Sequence, residues 1–491
     1  MHRREFPFAL LLSLAMTAPA FARHGEPPYS LSHPAKIGPS VPVADVGTID
    51  AAARRAEADA RQRARAAVPT KRLATADDIA VSIGSDRDGA WELLADGSRL
   101  WRMRVRAAGA TDLRVAFAHL ALPRDATLYL IGAGSYYQGP YTAVDAPTGE
   151  FHSPAVPGDT ATIELRLPAG AAQGDVEIDR VGAGFRDLFK AADDTGIGTS
   201  GPCNVDVVCP LGDPYADEIR AVAYYEFDDD EGGVYLCSGT LLADVPGSRR
   251  NWFLTAAHCV SSASEAASMV LYWNYESAQC GALVAPPGGF FGDDQHRATL
   301  RATRADTDFT LVELDAAPDP DWNVYYAGWD ASGTAPSGTI GIHHPSGDVK
   351  KITAGPRPDT IDSCIGAGTR THWETGPYSQ GTTEAGSSGS GLFVHIGNGG
   401  RDGRLIGTLS GGYAACSLAN PGQPNDETDC YGKLASAWNG SSSASRLRDW
   451  LDPGHSGTLT APGIDSHATA PRMRGHSHHR RPDRLPFDSR R

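Results

Sequence analysis

The sequence predicts an all-β protein in which a small β-rich domain precedes a larger unit built as an antiparallel barrel or sandwich pair. Short apolar runs alternate with turn residues along most of the chain, whereas few segments have the 3.6-residue period of an amphipathic helix. Gly and Pro are abundant, at 55 and 34 of 491 residues, which suits a loop-rich β protein. Many short strands without intervening helices favour antiparallel sheets over βαβ units.

The first 22 residues have the pattern of a secretion signal. Arg3 and Arg4 precede an apolar run from Phe6 to Met16, and the small residues that follow end in an A-x-A triplet at 20–22. A buried helix is the alternative for this run, which is too short to span a bilayer. We expect residues 1–22 to be removed and the protein to be secreted, with no membrane association.

The net charge of the chain limits the classes of partner that it is expected to bind. The formal net charge is −15 and the sequence pI is about 5.5. An acidic surface disfavours the phosphate backbone of nucleic acids, so we expect no nucleic acid partner.

Residues 23–197 contain no cysteine and are predicted to form the small domain. An Ala-, Arg- and Glu-rich run from Ile49 to Ala67 favours a helix. Strands are predicted after it, around Trp101–Val105, Leu113–Phe117 and Ile163–Leu167, because apolar residues alternate there with others.

All eight cysteines lie between Cys203 and Cys430. An even number confined to one segment of an exported chain is typical of disulfides. Metal binding is the alternative, but the chain contains no C-x-x-C pair. The pattern by itself leaves the pairing open.

Residues 198–466 form the larger unit, and residues 467–491 form a tail. The larger unit has strand patterns at Trp252–Leu254 and Phe309–Leu314 and a helical pattern from Ser445 to Leu451. The tail is rich in Arg and His and poor in apolar residues, which predicts disorder. A His-rich tract is a possible metal ligand, but such clusters are common on flexible tails without a role, so we expect no metal.

His258 is the first candidate catalytic residue. An apolar strand ends in T-A-A-H-C at 255–259, which resembles the histidine motif of trypsin-like serine proteases. The strand end and an adjacent disulfide would fix the imidazole at the rim of a cleft. His343 and His344 are the alternatives, but H-H-P lacks this context and is expected to shape a loop.

Asp308 follows fifty residues later, in D-F-T-L at the start of an alternating strand. This sequence resembles the aspartate motif of the same proteases. The carboxylate would accept the Nδ1–H of His258 and hold the tautomer that presents Nε2 to a nucleophile. Asp306 is the local alternative, which we expect to be a surface acid.

Ser388 lies in G-S-S-G-S-G at 386–391, where the glycines permit a tight turn that exposes one serine. It fits the G-x-S-G pattern as the nucleophile, and the N–H groups of Gly386 and Ser388 would form the oxyanion hole. A Ser/Gly run is also typical of a linker. The strand pattern that follows at Leu392–Val394 argues against a linker here.

The order His, Asp, Ser is that of chymotrypsin-like proteases, and residues 198–466 resemble the bacterial lysyl endopeptidases in detail. Matching stretches lie at 203–210, 272–275, 327–330, 342–345, 383–384, 386–390, 444–447 and 449–453. The resemblance implies a chymotrypsin-like double β-barrel protease domain that acts on protein or peptide substrates. We expect a monomer without a cofactor. The resemblance also implies the disulfides Cys203–Cys416, Cys209–Cys280 and Cys237–Cys259, which leaves Cys364 and Cys430 to pair with each other.

The resemblance also assigns the residue that determines specificity. Trypsins carry a pocket acid six residues before the nucleophile, where this chain has Thr382. Lysyl endopeptidases carry an aspartate on the opposite wall, which Asp429 matches, and Gly411 and Gly412 fit the strand that pairs with the substrate. A buried carboxylate is strongly destabilised unless it meets a cation, which favours a lysine substrate. A surface acid beside a disulfide is the alternative for Asp429.

Two positions depart from the family pattern. Its histidine beside the glycine strand is replaced by Ser410, and its stacking tryptophan is matched by Ser363. The aromatic wall that shields the pocket acid is therefore expected to be missing, which leaves a broader or Arg-accepting specificity as the alternative. A non-catalytic binding protein on the same fold is a third alternative, disfavoured by the complete set of His258, Asp308 and Ser388.

Ser387 bears on activation, because trypsins have an aspartate there that pairs with a new N-terminus. The resemblance instead implies that residues 23–197 are a propeptide, which we expect to assist folding or to cover the cleft until it is removed. G-T-S-G from Gly198 resembles the family's mature start, but Ile197 before it is not a lysyl site. Cleavage after Lys190 is the alternative.

Overall fold

The computed structural model describes residues 26–38, 40–64, 68–189, 200–284, 292–396 and 403–466. The predicted signal, the bonds after Lys190 and Ile197, and the Arg/His-rich tail lie outside these ranges. Strands cover 41% and helices 12%, which confirms the all-β prediction. None of the described helices is long and apolar enough to cross a membrane.

The N-terminal domain, residues 26–189, is mainly β-structure. Its described strands are β1 Val43–Thr48, β2 Leu73–Gly84, β3 Ala90–Leu93, β4 Arg99–Ala108, β5 Asp112–Ala121, β6 Thr127–Ile131, β7 Tyr137–Tyr141, β8 Phe151–His152, β9 Val156–Pro157, β10 Thr160–Leu167 and β11 Asp175–Gly184. One sheet has the order β1-β4-β10-β6-β7, with β3 beside β4. A second group of strands, β2-β11-β5-β8, packs against it through a core that includes Trp101, Leu165 and Phe117. The strands predicted from alternation are β4, β5 and β10.

The C-terminal domain, residues 200–466, contains two further groups of strands. They are β12 Val205–Asp206, β13 Val222–Asp228, β14 Gly233–Leu242, β15 Trp252–Thr255, β16 Val270–Tyr272, β17 Asp294–His296, β18 Ala298–Arg304, β19 Phe309–Leu314, β20 Tyr325–Tyr326, β21 Trp329–Asp330, β22 Gly338–His343, β23 Lys351–Pro356, β24 Asp359–Ile361, β25 His372–Thr375, β26 Gly391–Val394, β27 Leu405–Gly412, β28 Asp429–Lys433, β29 Thr460–Ala461 and β30 Ile464–Asp465. Strands β13 to β19 form one near-barrel sheet. Strand β12 and most of the strands after β19 form another, in the order β12-β23-β22-β26-β27-β28-β25-β24. Apolar residues of both sheets share one buried core, which includes Trp252, Leu311 and Phe393.

All but one of the α-helices in the described ranges have four or five residues, and the remaining one has 14. These helices are α1 Tyr29–Ser32, α2 Ala51–Ala64, α3 Ala216–Ile219, α4 Ala263–Ala267, α5 Leu434–Ala437 and α6 Arg448–Leu451. Helix α2 begins two residues after the predicted Ile49, because the Ile49 N–H pairs with the carbonyl of Ala108 at 2.7 Å. The helix predicted from Ser445 spans only α6, because Arg446 is extended with φ −151°.

Strand β2 connects the two domains. It pairs with β11 inside the N-terminal domain and, through Leu73–Asp77, with Gly233–Leu236 of β14 in the C-terminal domain. A single twelve-stranded sheet therefore passes from one domain into the other. Since Leu73 begins β2, this arrangement brings the residues just before it to the edge of the C-terminal domain.

We predict that Leu165→Ala destabilises the full chain by about 2–5 kcal/mol, because it leaves a cavity in a core position with no exposed surface. Leu93→Ala removes the same atoms from a side chain that is 77% exposed and should change stability by at most about 0.5 kcal/mol. Denaturant unfolding of both variants gives the comparison. Equal losses would contradict the assignment of the core.

Candidate active site

Strands β15 and β19 bring His258 and Asp308 together. Their antiparallel register places the end of β15 beside the start of β19. His258 follows β15 by three residues, and Asp308 comes directly before β19. The residue after His258, Cys259, is bonded to Cys237 of β14, which holds this loop against the sheet.

A chain of hydrogen bonds links the three side chains that the sequence singled out. His258 Nδ1 lies 2.8 Å from Asp308 Oδ2, and His258 Nε2 lies 2.6 Å from Ser388 Oγ. The backbone N–H of His258 donates to Asp308 Oδ1 at 2.9 Å, which fixes the buried carboxylate. With Nδ1–H donated to this carboxylate, Nε2 is able to accept the Ser388 proton. The local alternative, Asp306, is exposed and pairs with Arg304 at 2.6 Å.

The turn that presents Ser388 requires glycine at two positions. Gly386 and Gly389 have φ values of +99° and +78°, a region that other residues rarely adopt. An added Cβ would lie 2.7 Å from the carbonyl oxygen of His344 at Gly386, and 2.1 Å from Thr255 Oγ1 at Gly389. Another residue at either position would therefore displace the turn.

The backbone N–H groups of Gly386 and Ser388 converge on one atom, the carbonyl oxygen of Lys71. Their distances to it are 2.5 and 3.2 Å. Lys71 belongs to the N-terminal domain and was not singled out from the sequence. Two convergent N–H donors are the arrangement that stabilises an oxyanion. The carbonyl of Lys71 therefore lies where the carbonyl of a scissile bond would lie.

The side chain of Lys71 fills the pocket that contains Asp429. Its Nζ lies 2.7 Å from Asp429 Oδ1 and donates to the carbonyl oxygens of Ala414 and Thr383 at 2.9 and 3.2 Å. The two charged side chains are 7% and 0% exposed. The alternative of Asp429 as a surface acid is therefore wrong.

Residues 69–71 lie along Gly411 and Gly412 as an added antiparallel strand. Thr70 forms a β-bridge with Gly411, and the Gly412 N–H donates to the carbonyl oxygen of Pro69 at 3.1 Å. An added Cβ on Gly411 would lie 2.3 Å from the same oxygen. Both glycines thus lie beside an extended peptide, and at Gly411 a side chain would collide with it.

Two side chains that the sequence analysis did not assign contact the pocket acid. Tyr378 Oη donates to Asp429 Oδ2 at 3.0 Å, and Thr383 Oγ1 donates to the same atom at 2.6 Å. Tyr431 Oη lies 3.1 Å from Tyr378 Oη. The expectation that the acid lacks an aromatic shield is wrong, because Tyr378 contacts Asp429 directly, and the acid is 1% exposed with Lys71 in the pocket. Tyr431 could have been found from the sequence, because it follows Asp429 by two residues and residues two apart on a strand share a face.

A histidine lies beside Ser410 although the position itself carries a serine. His372 Nε2, on strand β25, lies 3.1 Å from Ser410 Oγ. Burial lowers the pKa of His372 to about 4, while the charge of Asp308 acts in the opposite direction. His372 is therefore neutral at neutral pH. Ser363 lies in the loop after β24 and contributes no ring.

His343 and His344 are buried and lie outside the hydrogen-bonded chain of Ser388. His343 ends strand β22 and is not in a loop as expected, because its backbone continues the pairing with β23. Its Nδ1 lies 2.8 Å from Ser387 Oγ, inside the turn. Burial, together with the charges of Lys71 and Lys351, lowers the pKa of His343 to about 3. His343 is therefore a neutral support for the turn and not a base.

The eight cysteines come together in four pairs. The pairs are Cys203–Cys416, Cys209–Cys280, Cys237–Cys259 and Cys364–Cys430. The last pair joins the strand that carries Asp429 to the loop after β24.

Both domains match models of known families. The model of the lysyl endopeptidase N-terminal domain matches residues 43–181, and that of the lysyl endopeptidase C-terminal domain matches residues 197–432. The lysyl endopeptidase of Pseudomonas aeruginosa (strain PAO1) is 35% identical over 353 residues, which cover 68% of this chain and 73% of the relative. The chain belongs to the lysyl endopeptidase family. It is a serine endopeptidase in which an N-terminal domain precedes the protease domain.

Solved structures give a weaker likeness. The active form of the Rv3671c protease from M. tuberculosis has a TM-score of 0.30 and 15% identity over 46% of this chain and 81% of that one. Its inactive form has a TM-score of 0.26 and 13% identity over 46% and 87%.

We predict that Gly389→Ala lowers the melting temperature of this lysyl endopeptidase family member by several degrees. The new side chain would adopt a strained φ and meet Thr255 and a backbone carbonyl, at a cost of about 1–3 kcal/mol. Gly422→Ala is the matched control, because an added Cβ there meets nothing within 4 Å. A thermal scan that finds both variants equally stable would contradict the strained turn.

Proposed function

We propose that this protein is a secreted serine endopeptidase that cleaves after lysine, with His258, Asp308 and Ser388 as its catalytic triad. The observation that carries the proposal is the position of Lys71. Its ammonium group contacts Asp429, while its carbonyl oxygen accepts hydrogen bonds from the backbone N–H groups of Gly386 and Ser388. One residue thus satisfies the specificity pocket and the oxyanion hole together.

The charge of the pocket favours lysine as the residue before the cut. Asp429 is buried, and a buried charge without a partner costs several kcal/mol. Lys71 Nζ supplies a compact cation that contacts one carboxylate oxygen, two carbonyl oxygens and the hydroxyl of Thr383. Lysine concentrates its donors and its charge on one nitrogen, which suits a compact set of oxygen acceptors.

The distribution of lysine in the chain supports the same specificity. Only Lys350, Lys351 and Lys433 occur after residue 197, and they are 0%, 3% and 6% exposed. Lysine is almost never fully buried in ordinary proteins. Arginine is exposed in the same domain, for example at Arg357 and Arg370. A protease that cuts after lysine and spares arginine would leave such a surface intact, which argues against the Arg-accepting alternative.

The proposed reaction follows from the positions of three side chains and two amides. His258 Nε2 takes the proton of Ser388 Oγ as this oxygen attacks the carbonyl carbon, and Asp308 stabilises the imidazolium. The N–H groups of Gly386 and Ser388 stabilise the oxyanion. His258 then protonates the leaving amine, and a water molecule releases the acyl-enzyme by the same steps in reverse.

We also propose that residues 23–197 are a propeptide and that residues 1–22 direct export. The described part of residues 23–197 supports the first proposal, because Lys71 and Thr70 occupy the substrate site. The four disulfides of the protease domain support export, since disulfides persist in oxidising compartments.

We predict that Ser388→Ala lowers kcat by about four to six orders of magnitude and abolishes covalent labelling by a serine-directed phosphonate. Ser390→Ala is the matched control, because it removes a buried hydroxyl from the same turn. The control should retain labelling. Labelling that survives in Ser388→Ala would assign the nucleophile elsewhere.

We predict that Asp429→Asn lowers kcat/KM for a Lys peptide by about two to three orders of magnitude, because the buried lysine cation loses its carboxylate. Asp426→Asn changes an exposed acid of the loop that leads into β28 and should leave the value unchanged. The measurement uses processed enzyme and peptides that differ only in Lys, Arg or Glu before the cut. Unchanged Lys cleavage in Asp429→Asn, or equal cleavage after Arg by the wild type, would contradict the proposed pocket.

A further inference from the structure

We propose that the Lys71–Arg72 bond is a cleavage site of the protein itself, cut within the same chain by Ser388, and that the two fragments stay together. This proposal rests on the proposed function, since it uses the same triad and pocket. The site lies more than a hundred residues before either boundary expected from the sequence, at Lys190 or Ile197. It is therefore a cut inside the N-terminal domain.

The segment before the bond is held as the acyl side of a substrate. Pro69 and Thr70 pair with Gly412 and Gly411, and Lys71 occupies the pocket. The carbonyl oxygen of Lys71 accepts two N–H bonds, so the bond to be cut is already polarised. Holding the reacting groups in one geometry supplies much of the rate of an enzymatic reaction.

The segment after the bond is held as the leaving side. The guanidinium of Arg72 lies 4.1 Å above the ring of Tyr235, and its Nη1 donates to the carbonyl oxygen of His258 at 3.4 Å. Arg72 Nη2 is also 4.0 Å from the buried carboxylate of Asp229. Leu73 is buried opposite Leu236, where β2 begins its pairing with β14. The chain therefore passes through the cleft with both sides of one peptide bond fixed.

The cut follows the chemistry of the proposed enzyme, with water as the only co-reactant. Ser388 Oγ forms an ester with the carbonyl carbon of Lys71, the bond from this carbon to the nitrogen of Arg72 breaks, and His258 transfers the serine proton to that nitrogen. Water then hydrolyses the ester and regenerates Ser388. The products are a carboxylate at Lys71 and a new N-terminus at Arg72.

Both fragments have contacts that outlast the cut. The fragment that ends at Lys71 keeps strand β1 beside β4, and Arg54 of α2 donates to Asp77 of β2 at 2.7 Å. The fragment that begins at Arg72 keeps β2 between β11 and β14. Lys71 therefore remains in the pocket as a bound product, and the nicked protein should stay inactive toward external substrates.

The experiment follows purified full-length protein under denaturing conditions, by mass and by N-terminal sequencing. We expect a fragment that begins at Arg72, formed at a rate that stays constant over a hundredfold dilution, and both fragments should elute together under native conditions. Lys71→Gln should slow its formation by about two orders of magnitude. Lys36→Gln replaces an exposed lysine of the same domain and should leave the rate unchanged.

A tagged Ser388→Ala chain mixed with active protein tests whether the cut is internal. The proposal requires that the tagged chain stay whole at Lys71–Arg72, and cleavage there in the mixture, or a rate that rises with concentration, would overturn it. The wild type remaining whole at this bond would also overturn it. If the wild type stays whole at this bond but processed enzyme still cleaves external Lys peptides, the proposed function stands and only the internal cut is ruled out. If neither the internal bond nor external Lys peptides are cleaved, both proposals are ruled out.

Discussion

The buried carboxylate of Asp429 is the constraint around which the cleft is arranged. Oδ1 accepts from Lys71 Nζ at 2.7 Å and from the Ala414 N–H at 3.3 Å, while Oδ2 accepts from Tyr378 and Thr383 at 3.0 and 2.6 Å. Neutral donors reduce the cost of burying this charge, but a cation is the partner that neutralises it. Lys71 Nζ supplies that cation here, and under the proposed function a substrate lysine would take its place.

The glycines near this carboxylate serve one geometric purpose. An added Cβ at Gly412 would lie 2.2 Å from Asp429 Oδ1, and one at Gly411 would lie 2.3 Å from the carbonyl oxygen of Pro69. Neither of these two residues of the strand can therefore carry a side chain: at position 412 it would collide with the acid, and at position 411 it would collide with the peptide. The position of Asp429 on this wall thus also restricts residue 412 to glycine in this chain.

The features that could be predicted from the sequence are those in which the decisive residues are neighbours in the chain. The strand before His258 and the glycine turn around Ser388 have local patterns, and so does the strand after Asp308. Lys71 could not be found this way, because it lies 358 positions from Asp429 and its role comes from the pairing of β2 with β14. Position-by-position comparison also gave the wrong surroundings for the acid.

That error has a physical cause. A family position occupied by serine suggests a missing ring, but a neighbouring strand can supply one. Tyr378 reaches Asp429 from a different segment, and His372 of β25 reaches Ser410 of β27. The partner of a side chain across a sheet depends on strand register, which pattern alone leaves undetermined.

Under the proposed function, the backbone amides around Ser388 bear on how the N-terminal domain would keep the enzyme latent. Ser387 stands where trypsins use an aspartate to order this turn after cleavage, and here its hydroxyl is bound by His343 at 2.8 Å. The N–H groups of Gly386 and Ser388 already converge on a carbonyl oxygen while the N-terminal domain is attached. If the N-terminal domain is a propeptide as proposed, latency would not depend on an unformed oxyanion hole. It would depend on occupancy of the site by Lys71, through the ion pair with Asp429 that a substrate lysine would also form. On this proposal specificity and inhibition share one interaction, so a change that weakens the binding of a substrate lysine at Asp429 would also weaken the hold of the N-terminal domain on the cleft.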